Sequence, residues 1–212
     1  MLDFRPEDFL VRRQDRPAND EGLIGEEALL NNPLIDELCE KMRNDYTPSH
    51  KYVIFSLCTS TRPYIKSPKW KAFYNNFGDS CDLVICSNGG IIPIEYQYCY
   101  PFMTYDAHGN SKTDELYKQK FKERLDKFLE LHANKWEKMV FSFLPTSRNR
   151  EVVNTYTYPN MAVLPSKDVY DRIRADGSPG VNIMRFPQCA HQHLDEISEY
   201  LGVPRRKRRR LF

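Results

Sequence analysis

The stretch Lys51–Gly78, "KYVIFSLCTSTRPYIKSPKWKAFYNNFG", decides the fold. "KYVIFSLC" is a short run rich in β-branched and aromatic residues with no glycine or proline inside it, the pattern of a buried central strand. "TSTRP" then turns the chain. Ser67 stands at an N-cap position, Pro68 at the first helical position and Gly78 at a stop, which together mark a helix. Cys58 therefore falls at the carboxyl end of a strand, in a loop that feeds a helix N-terminus, with Arg62 four residues on. Both features favour a thiolate. The local pattern is equally that of a buried structural cysteine.

The unit recurs along the chain. Upstream, "GEEALLNNPLIDELCEKMRNDY" has Leu30, Leu34, Leu38 and Met42 at an i, i+4 spacing, which predicts an amphipathic helix kinked at Pro33. Downstream, "CDLVICSNGG" predicts a buried strand over Leu83–Cys86 and a Gly-Gly turn, followed by a loop rich in proline and tyrosine at the same strand-end surface. "SKTDELYKQKFKERLDKFLELHANKW" is the longest helix, with Leu116, Phe121, Leu125, Phe128 and Leu129 on one face. "EKMVFSFLP" and "REVVNTYTY" read as further strands, and a last helix begins near His193 and stops at Gly202-Val203-Pro204. The expected fold is α/β: a single-domain three-layer sandwich with a mostly parallel central sheet flanked by helices. Its ligand crevice would lie outside the carboxyl ends of the strands and gather Cys58, the Pro93–Asp106 loop and the loop after Leu144.

The ends of the chain differ from this core, which is expected to span residues 26–204. Residues 1–25 are charged and carry Pro6, Pro17, Gly22 and Gly25, an arm or peripheral wrap. At the other end, within the tail 205–212, Arg205, Arg206, Lys207, Arg208, Arg209 and Arg210 form an unbroken basic run expected to hold phosphate. Six of the 31 basic residues lie in that run, so the net charge of +2 conceals a body in which 29 carboxylates outnumber the remaining bases.

Several chemistries lack their motifs. There is no phosphate-binding G-x-x-x-x-G-K-[ST] loop, Gly89-Gly90 is not a dinucleotide fingerprint, and no cysteine trio has cluster-binding spacing. "CAHQH" offers Cys189, His191 and His193 at alternate positions, which an extended backbone would point to one side as in a zinc site, but a polar loop opening the last helix accounts for it better. No metal and no cofactor is expected. The six cysteines are too sparse for a disulfide scaffold, and neither a membrane span nor a signal sequence stands out, so a reducing, cytoplasmic location is expected.

The stretch from Cys58 resembles the signature of archaeosine synthase, which runs Pro-Cys, three residues, Lys-Pro-Tyr, two residues, Ser, two residues, His. Here Leu57-Cys58 is followed at the same spacing by Arg62-Pro63-Tyr64, Ser67 and Trp70. A second stretch, "GIIPIEYQYCYPFMTYDAHG", is similar to that family's Gly-Val-Val-Pro-Arg-Glu segment with a later Tyr-Pro and Tyr-Asp. Gly90, Pro93, Glu95, Tyr100, Pro101, Tyr105, Asp106 and Gly109 fall on it. The chain departs from the pattern at Ile94 for arginine, Arg62 for lysine and Trp70 for histidine.

The resemblance implies an enzyme acting on the nitrile of 7-cyano-7-deazaguanine in nucleic acid, with an amine (lysine or ammonia) or water as the second substrate. Cys58 would be the nucleophile and Asp106 the general acid or base; Arg62, Tyr64, Ser67, Glu95 and Tyr105 would bind substrate. The core is expected to take up nearly the whole length, without the family's tRNA-recognition domains. DNA is therefore favoured over tRNA, as in related stand-alone viral cores, which would act in the host cytoplasm. A non-catalytic module that binds modified bases is the alternative.

Overall fold

The computed structural model describes residues 25–99, 102, 111–176 and 187–205. Four parallel strands and one antiparallel edge strand form the sheet: β1 (Tyr52–Leu57), β2 (Cys81–Ser87), β3 (Gly90–Pro93), β4 (Lys138–Ser142) and β5 (Met161–Leu164), in the order β3-β2-β1-β4-β5. Around it lie α1 (Glu26–Leu30), α2 (Pro33–Asp45), α3 (Pro68–Phe77), α4 (Asp114–His132), α5 (Arg148–Val153), α6 (Lys167–Ala175) and α7 (His191–Leu201). The fold is the expected one, a single α/β domain with helices on both sheet faces.

Alternation along the strands splits the core in two. Ile54, Leu83, Ile85 and Val140 pack against Trp70, Phe73 and Phe77 of α3 and Leu194, Ile197 and Leu201 of α7. Val53, Phe55, Val84, Met139 and Phe141 face Phe121, Leu125, Phe128 and Leu129 of α4 and Val152 and Val153 of α5. The chain leaves β1 towards β2 and leaves the adjacent β4 towards β5, so the two connections run in opposite directions, and the crevice of an open parallel sheet falls at such a switch.

Four local readings change. The first helix is broken rather than kinked: α1 ends at Leu30, and α2 restarts with the Asn32 side chain accepting the Leu34 N–H at 3.0 Å. The restart rotates the buried stripe to Ile35, Cys39 and Met42, leaving Leu34 on the surface. "REVVNTYTY" is not a strand, because the Ser147 side chain caps its beginning into α5. The strand at this edge is instead β5, followed by α6. Finally, β3 folds back on β2, with Ser87 opposite Gly90 and Val84 opposite Pro93, so residues after Pro93 leave at the amino end of β2.

Candidate functional site

Cys58 follows β1 directly and extends its ladder by one rung, its N–H donating to the Cys86 carbonyl at 2.8 Å. Alternation puts its side chain on the face of Ile54 and Ser56, and the thiol is half-buried against the α3-side core. Beneath it the strand ends are tied together. Ser56 Oγ donates to the Ser142 carbonyl at 3.1 Å, and Ser142 Oγ shares a hydrogen bond of 2.8 Å with His193 Nε2. Glu196 Oε2 lies 3.9 Å from the other ring nitrogen and accepts the Ser166 N–H at 3.2 Å. Burial holds the His193 imidazole below its ordinary pKa.

Lys69 is the residue at this site that sequence reasoning passed over. It sits in the first turn of α3, is 3 % exposed, and its ammonium donates to the carbonyls of Leu57 and Cys58, the latter at 3.5 Å. Burial pulls its pKa down to about 8, against the pull of the Cys58, Cys189 and Cys86 thiols, each of which favours the charged form. Its signal was present in the sequence: Lys69, Phe73 and Phe77 are spaced i, i+4, i+8, which places a lysine on the apolar face of a helix.

On the opposite side, Tyr117 of α4 is buried, which raises the pKa of its hydroxyl. It accepts from Asn149 Nδ2 at 2.6 Å, and the Arg148 guanidinium lies 3.4 Å from its ring centroid. Arg148 in turn pairs with the buried carboxylate of Glu26, which also accepts from Asn88 at 2.9 Å and from Thr113. The loop after β4 thus reaches the strand-end surface, as expected, through Ser147–Asn149.

The other predicted site residues divide. Arg62 is buried beside Cys58 and points into the loop. Its Nε donates to the Phe102 carbonyl at 2.9 Å, its Nη1 to the carbonyls of Thr59 and Thr61, and it stacks 4.0 Å from the Tyr64 ring centroid. Tyr64 is fully buried beneath it, and Ser67 Oγ accepts the Trp70 N–H at 3.3 Å as the α3 cap. These three build the loop that carries Cys58.

Glu95 is elsewhere. The reversal at β3 carries it to the amino end of β2, where it neighbours Asp82 and His50 and burial raises its pKa. Five strand residues, about 15 Å, separate that end from the level of Cys58, so the two do not share a crevice. Asp106 and Tyr105 lie outside the described residues, as do the first 24 residues of the predicted arm and Arg206, Lys207, Arg208, Arg209 and Arg210. Arg205 is engaged with the fold, donating to Asp195 at 2.6 Å and to Asn76 at 3.0 Å.

Cys189, His191 and His193 do not converge either. The chain is helical from His191 on, so His193 turns into the core while His191 stays on the surface beside Arg205. Among the described residues no group of three or more His, Cys, Asp or Glu could hold a metal, and no helix is long and apolar enough to cross a membrane. A groove of about 550 Å³ between α4 and α5 and a cavity of about 260 Å³ between α2 and α4 contain none of the predicted site residues.

A family model described as "Domain of unknown function (DUF5591)" matches residues 35–166, which is more than half of the chain. The chain belongs to this family. The matched DUF5591 region runs from Ile35 in α2 to the Ser166 cap of α6 and so contains the whole sheet, Cys58 and Lys69. A solved structure titled "Crystal structure of AF0587, a protein of unknown function" is similar at 18% identity with a TM-score of 0.47, over 79% of this chain and 58% of that one. The chain thus spans less than two thirds of that protein's length. No curated protein matches the chain.

Proposed function

We propose that this DUF5591 protein modifies the nitrile of 7-cyano-7-deazaguanine in nucleic acid, DNA in preference to tRNA, and that Cys58 is its nucleophile. One observation carries the reading: the cysteine at the head of the archaeosine-synthase-like signature is a half-buried thiol at the carboxyl end of the central parallel strand, beside the switch point. The finer family resemblance is itself part of this proposal.

The chemistry follows from the groups. The Cys58 sulfur attacks the electrophilic nitrile carbon, a C–S bond forms, and one C≡N π pair moves onto nitrogen, which takes a proton from an acid for which Asp106 is the candidate. The product is a thioimidate. An amine (lysine or ammonia) or water then adds to the same carbon and loses its proton to the conjugate base, and collapse of the adduct expels the Cys58 thiolate. An amine leaves an amidine; water leaves an amide. The target base would be flipped out of the duplex to reach the thiol.

Nucleoside mass spectrometry after co-expression with a source of cyano-deazaguanine in DNA or tRNA tests this. Wild type should convert the nitrile base to a heavier product, and Cys58→Ala should leave it unconverted. No new mass in either polymer would overturn the enzyme reading. Unaltered cyano-deazaguanine nucleic acid bound equally by both proteins would favour a binding module instead.

A further inference from the structure

Lys69 is costly where it stands. An ammonium has three N–H donors, and here two of them meet the carbonyls of Leu57 and Cys58; the Trp70 ring lies 5.6 Å from Nζ, and among the described residues no carboxylate lies within ion-pair distance. Burial without a counter-ion disfavours the charge, and so does the first turn of α3, where the helix dipole is positive. A packed apolar side chain would serve the fold as well or better. The acidic groups its charge senses are three thiols. Of these, Cys86 is fully buried and burial pushes its thiol well up, while burial lifts Cys189 to about 11. Cys58 is the half-buried one of the three whose own carbonyl, with that of Leu57 before it, holds the ammonium.

We propose that Lys69 is the cationic partner of Cys58, a positioning residue whose ammonium holds the thiolate at the strand end. This rests on Cys58 being the nucleophile of the proposed reaction. The lysine and the cysteine then explain each other. The thiolate supplies the negative charge that the buried ammonium lacks, and the ammonium is fixed by the two carbonyls that flank the cysteine's own peptide. Arg62, the other cation of the loop, is directed at the carbonyls of Thr59, Thr61 and Phe102, and Tyr117 packs in the α4-side core and stays protonated because burial raises its pKa.

Alkylation of the intact folded chain by iodoacetamide between pH 6 and 9, followed at Cys58 by peptide mass spectrometry, reads the pair without any substrate. Lys69→Met should slow Cys58 alkylation at pH 7 about tenfold, the effect of removing one neighbouring cation. Lys69→Arg, which keeps the charge, should recover most of the rate. Unchanged alkylation in Lys69→Met with the circular dichroism of wild type, or equal losses in both variants, would overturn the proposal.

A second measurement needs no change at Lys69. The Lys69 13Cε resonance of wild type and Cys58→Ser should titrate differently, with a lower midpoint in the serine variant; identical titrations would also overturn the pairing. The outcomes separate the two ideas. Coupling without nitrile conversion retains the pair and removes the reaction, whereas conversion without coupling does the reverse.

Discussion

Gly90 is one of the residues on which the family resemblance rests, and the fold gives it a reason that can be measured. Its φ is +125°, a backbone conformation that side chains rarely adopt, and a Cβ added there would stand 2.3 Å from Cys39 Sγ. Backbone strain in such a region costs about 1–3 kcal/mol. Forcing a methyl into the packed space of Cys39 costs roughly 1–3 kcal/mol more. Gly90→Ala should therefore lose about 2–6 kcal/mol, a large share of the roughly 5–15 kcal/mol that holds a domain together. Cys39→Ala separates the two contributions, because the remaining Cβ at 39 would lie 3.9 Å from the new methyl, an ordinary contact. In that background only the φ penalty remains, and the double-mutant cycle should show a coupling of about 1–3 kcal/mol. Urea unfolding followed by the fluorescence of the buried Trp70 and Trp136 supplies the four free energies. If the two substitutions add to within about 0.5 kcal/mol, the sulfur is not what excludes a side chain at residue 90, and the packing of α2 on β3 is wrong.

The acid sensitivity of the fold is set first by histidine. Burial lowers the pKa of His193, and also that of His132, so below about pH 6.5 the unfolded chain binds protons that the folded one refuses. Stability is intact above that value and lost as pH falls towards the folded pKa, at up to about 1.4 kcal/mol per pH unit for His193. His193→Gln should flatten the decline between pH 6.5 and 5 in urea titrations; an unchanged slope would place the effect elsewhere. For the basic run, a chain ending at Arg205 keeps the contacts to Asp195 and Asn76 but loses five cations. The log–log salt dependence of its binding to duplex DNA should flatten by up to about four to five units, and equal slopes would show that the tail carries no phosphate contact.

What was legible in the sequence was whatever rests on local signals. Ser67, Pro68 and Gly78 mark the ends of α3 because capping is decided within one turn. The α4 stripe is read correctly at Phe121, Leu125, Phe128 and Leu129 because a long helix averages over many positions. The failures share the opposite character. Two motifs in order imply two neighbouring strand ends and so put Glu95 with Cys58, whereas the Gly-Gly turn closes an antiparallel hairpin and sends the second motif back along β2. A short apolar run such as "REVVNTYTY" fits a strand or a buried helix equally, and the Ser147 cap decides it. The Ser142–His193 contact joins residues 51 apart and leaves no local trace.

The exchange at the start of α3 shows how the two levels meet. Successive residues on a helix point about 100° apart, so residues 69 and 70 cannot both face the strand end. Trp70 turns into the core, fully buried and edge-on to Phe73 with ring centroids 5.7 Å apart, and its indole N–H has no partner among the described residues. A polar atom left unpaired in that way costs about 1–3 kcal/mol, which the burial of a large aromatic surface offsets. Residue 70 is therefore a packing position here, even though the resemblance expects a histidine at it. The polar head that reaches the Leu57–Cys58 peptide from this turn belongs to Lys69. An imidazole would change charge near pH 6.5, whereas this ammonium does so at about 8 and stays charged through neutrality. In the proposed reaction it would act as a fixed positive charge beside the thiol, and proton transfer to the nitrile nitrogen would fall to another group.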